Sequence, residues 1–71
     1  MSAAPTLIRE EVADLLSRVA AHAQAASAHA EAGTDALLAT EIRCAASTLM
    51  CVARLVEHLR PDRQQRGGHA A

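Results

Sequence analysis

Apolar residues in this chain return at alternating spacings of four and three, the signature of a helix face rather than of a strand. Ile8, Val12, Leu15, Val19, His22, Ala26 and His29 trace one such line, and Leu38, Ile42, Ala45, Leu49, Val52, Val56 and Leu59 trace a second. Between Pro5 and Gly33 there is neither Gly nor Pro, and a second uninterrupted stretch runs from Thr34-Asp35 to Arg60-Pro61. The pattern predicts an all-α protein: a lead over 1–5, a helix over 6–32, a turn at 33–34, a helix over 35–60 and a flexible tail over 61–71. At about 1.5 Å per residue each helix reaches about 40 Å. Gly33 suits the left-handed position past a helix end, Thr34 suits an N-cap, and Asp35 suits the electropositive first turn. A two-residue connection makes the helices antiparallel neighbours in a hairpin. Leu15 is then expected opposite Val52, and Val19 opposite Leu49 or Thr48.

One seam does not absorb all the large apolar side chains. Leu16 lies beside it on the first helix, and Leu37, Cys44, Thr48, Cys51 and Leu55 form a second stripe on the other. A two-helix hairpin of this length has little apolar area to set against its ordering entropy, and no disulfide or evident metal to staple it. The expected remedy is association of two hairpins into a homodimeric four-helix bundle, with Leu16, Leu37, Cys44, Thr48, Cys51 and Leu55 as the interface. A larger protein offering a matching apolar groove is the second expected partner.

Composition sharpens this picture. Half of the apolar content is Ala, which accounts for 18 of the 71 residues. The run from Ala20 to Ala30 is therefore read as helix, thinly packed and filled from across by Leu37, Leu38 and Ile42. No Phe, Tyr or Trp is present, which excludes aromatic cages and base-stacking platforms. Seven Arg balance eight acidic residues for a formal charge of −1. Nothing draws the whole molecule toward nucleic acid or an anionic bilayer, and the few tail arginines offer far less than a committed DNA-binding surface. Abundant Ala and Arg with no Lys point to a GC-rich, bacterial coding sequence. The N-terminus lacks the layout of a secretory signal, and no run approaches the roughly 18 uncharged apolar residues of a membrane span. The expected location is the cytoplasm, where thiols stay reduced.

Candidate chemistry is sparse. Cys44, Cys51 and His58 are spaced by seven, so they line one side of the second helix at steps of about 10.5 Å. That exceeds the reach of a disulfide, so any bond joins two chains, for instance if two copies of the helix met antiparallel around residues 47 and 48. No Cys or His pair has the i,i+3 or i,i+4 spacing of a one-helix metal site. A metal set would have to be assembled across helices from His22, Cys44, Cys51 and His58, and packing is the favoured role of both thiols. His22 and His29 occupy seam positions where an imidazole needs a partner or water. Glu10, Glu11 and Asp14 are expected to complement the first helix's dipole, and Asp14 to pair with Arg18. No nucleophile elbow, phosphate-binding glycine loop or enclosed pocket is foreseen, so neither an enzyme nor a cofactor is expected. The sequence reads as a small protein–protein interaction module, an adaptor, regulator or chaperone-like protein. The alternative is a metal- or redox-responsive bundle built on Cys44 and Cys51 with His22.

Overall fold

The computed structural model describes residues 4–59, and these form two helices packed side by side as an antiparallel hairpin. Helix α1 spans Ala4–Ala32 and helix α2 spans Asp35–Glu57. The first helix begins two residues before the expected start, because Pro5 fits a first turn, where its missing N–H has no intrahelical partner to lose. The second ends three residues before the expected Arg60, its last bonds tightening to i→i−3 as His58 N donates to Leu55 O and Leu59 N to Val56 O. The expected tail over 61–71 lies outside the described residues. The early start of α1 leaves no acidic residue in its first turn, so Glu10, Glu11 and Asp14 are not dipole partners. Asp14 does bond Arg18 at 3.3 Å one turn on.

The turn is built by hydrogen bonds that only a glycine at its centre allows cheaply. Thr34 N donates to His29 O and Gly33 N to Ala30 O, the paired bonds of a Schellman motif, with Gly33 at φ 74°. Such motifs usually clamp a hydrophobic contact between the residues that here are His29 and Thr34. The contact is polar instead: the His29 ring Nδ1 lies 2.8 Å from Thr34 Oγ1, whose hydroxyl donates back to His29 O. Thr34 is thus spent on the preceding helix. It stands at the N-cap of α2 without capping it by its side chain, while its carbonyl accepts the first helical bond, from Leu38 N.

On α1 the side turned to α2 is Ile8, Val12, Leu15, Val19, His22, Ala26 and His29, as the spacing predicts. On α2 the seam is rotated. Leu38, Ala45, Val52 and Leu59 lie in it as expected, but Glu41, Thr48 and Leu55 fill the intervening places, and Ile42, Leu49 and Val56 are 52%, 46% and 37% exposed. Both lines have the same three-four spacing, so periodicity alone does not choose between them. The observed rotation lets Glu41 reach the seam imidazole, its Oε1 lying 2.6 Å from His22 Nδ1. The Ala-rich half of α1 is consequently covered by close helix approach, with Ala26 buried, rather than by Leu37 and Ile42, which stay exposed. Only Ala26 and Val52 are buried among the described residues, at 5% and 7% exposure.

Candidate functional site

A hairpin is a single layer, so each side of its seam is a surface. Stepping about 100° per residue from the seam places Ile42, Leu49 and Val56 on one flank of α2 and Leu37, Cys44 and Cys51 on the other. In antiparallel right-handed helices, flanks reached in the same rotational sense fall on the same side of the layer. Leu16, Ala20 and Ala23 of α1 therefore share a side with Ile42, Leu49 and Val56. Ala39, Ala46 and Ala53, all exposed, border these on α2. The result is an apolar face of four large aliphatic side chains set among alanines, with Leu16 42% exposed.

The opposite side is mixed. His22, Thr40, Arg43, Cys44, Ser47 and Thr48 line an open groove of about 380 Å³, and the Glu41 carboxylate bonded to His22 crosses the seam beside it. Arg18 and Asp14 flank this side on α1, paired with each other and largely exposed. Both thiols are free and exposed.

The six residues expected to form one interface are thus divided three ways. Leu16 belongs to the aliphatic face; Leu37, Cys44 and Cys51 belong to the grooved side; Thr48 and Leu55 are half-buried in the seam. Of the four candidate metal ligands, His22 and Cys44 border the same groove, whereas Cys51 and His58 lie progressively farther along α2. No group of three or more His, Cys, Asp or Glu able to hold a metal occurs among the described residues. Sequence reasoning missed Glu41 as the partner of His22, although an acidic residue within one turn of the level facing a seam histidine was the available signal. It also assigned Ile42, Leu49 and Val56 to the interior. The repeat of Ala39, Ala46 and Ala53 at every seventh position, three residues before each of them, marks the exposed face.

Helix α2 is long and apolar enough to cross a membrane by length and composition, with a mean hydropathy of 1.4 over its most apolar window. Glu41 and Arg43 interrupt that stretch. No protein-family model, curated protein or solved structure matches the chain.

Proposed function

We propose that the protein is a small, non-enzymatic interaction module whose single helical layer is completed by another helical layer. The first such layer is a second copy, giving a homodimeric four-helix bundle, and a larger protein is the further partner. The observation that carries this reading is the distribution of burial: two small or medium side chains are inside, while seven large apolar side chains are exposed, four of which, Leu16, Ile42, Leu49 and Val56, share one outer face. Exposed apolar surface that is contiguous, rather than scattered, marks an interaction site in a soluble protein. Glu41 and Arg43, inside the most apolar stretch of α2, argue for an aqueous setting over a bilayer, since a charge costs about 2.5–3.5 kcal/mol near a membrane helix centre. The groove beside His22 is open to solvent, a shape suited to receiving a protein surface.

Size-exclusion chromatography with light scattering tests the reading, with concentration taken from refractive index because the chain has no aromatic residue. A species of twice the 7.4 kDa chain mass is expected. A stably helical monomer that keeps its mass up to millimolar concentration would overturn it.

A further inference from the structure

We infer that the aliphatic face of the hairpin is the dimer face and that the second copy lies across it with its turn at the opposite end. The inference rests on the interaction-module reading and adds the surface, the symmetry and the register.

The argument begins with the two sevenfold-spaced lines on α2, one of large residues at 42, 49 and 56 and one of alanines at 39, 46 and 53. A two-fold axis across the face at the level of Ser47 and Thr48 exchanges Ile42 with Ala53, Leu49 with Ala46 and Val56 with Ala39. Every large side chain of one α2 then meets an alanine of the other, and the large residues of the two copies interleave along the bundle axis. This is the alternation of large and small that close helix packing needs, and it recurs at three consecutive levels with one axis. Levels on the two helices correspond through the two-residue turn, so the same axis passes α1 between Val19 and Ala20. There it exchanges Leu16 with Ala23, a fourth large-to-small match on the other helix.

The face is self-complementary in shape, as an isologous interface must be, which selects a second copy over an unrelated protein. The grooved side with His22, Cys44 and Cys51 is left facing outward on both sides of the bundle, open to a further partner.

The test is a disulfide trap in the full chain with both native thiols replaced, C44S/C51S, carrying I42C and A53C together. These two positions are about 16 Å apart on one helix, so they bond only between copies. Mild oxidation is expected to convert most of the protein into a disulfide-linked dimer of twice 7.4 kDa on non-reducing denaturing gels, lost on reduction. Leu49→Glu is expected to shift the light-scattering mass from dimer to monomer or to unfolded chain, while Cys51→Glu leaves the dimer mass unchanged. A wild-type dimer whose native Cys44 and Cys51 bond readily between chains, with no trap through I42C/A53C, would overturn this face and leave the interaction-module reading standing. Wild-type chain recovered with phosphatidylcholine vesicles and not as a soluble dimer would overturn both.

Discussion

The Glu41 carboxylate shows why a seam position can hold a charge. Its side chain is 25% exposed and that of His22 34%, so each keeps contact with water while bonding the other at 2.6 Å. Removing one partner strands the other in a mostly apolar seam. Glu41→Ala is therefore expected to destabilise the fold by about 0.5–1.5 kcal/mol, read as a lower midpoint in urea unfolding followed by circular dichroism at 222 nm. Replacing both with Leu is expected to act in the opposite direction, raising stability by about 1–2 kcal/mol, because paired apolar groups need no desolvated charge to be compensated. A double variant less stable than Glu41→Ala alone would show that the seam has no room for them. The Asp14–Arg18 pair is a contrasting case, 3.3 Å long but with both side chains more than half exposed. Arg18→Ala is expected to move the same midpoint by no more than about 0.5 kcal/mol.

At the scale of the elements, the turn is where one backbone conformation decides the topology. A Cβ at Gly33 would meet no atom within 4 Å, so space does not forbid a side chain there; the φ of 74° does. Gly33→Ala is expected to cost about 1–2 kcal/mol in the same unfolding measurement, and Gly33→Asn clearly less, since Asn tolerates the left-handed region. Equal costs for the two would mean the turn relaxes to another conformation. This turn was legible from Gly33-Thr34 in the sequence, as were the two helices and the whole seam of α1. The rotation of α2 was not. Ile42, Leu49 and Val56 are more apolar than Glu41, Thr48 and Leu55 taken together, and hydrophobic spacing alone selects the more apolar line. The rotated seam joins Glu41 to His22 across the helices, a relation between residues nineteen apart that no local pattern encodes. The same rotation hid the candidate site, because residues assigned to the interior turned out to form its exposed face.

For the molecule as a whole, a hairpin that buries only Ala26 and Val52 among its described residues has little core of its own. If folding and pairing are coupled, stability depends on chain concentration, because two unfolded chains exchange with one folded dimer. A tenfold rise in concentration then favours the dimer by about 1.4 kcal/mol. An unfolding entropy of roughly 2.1 cal/mol/K per residue, taken over both copies, turns this into a rise in Tm of about 5 °C per decade. Thermal melts at 222 nm from micromolar to millimolar chain are expected to show that slope for the wild type. A Tm independent of concentration would mean that the two helices hold together alone, and that the aliphatic face is occupied, if at all, only after folding is complete.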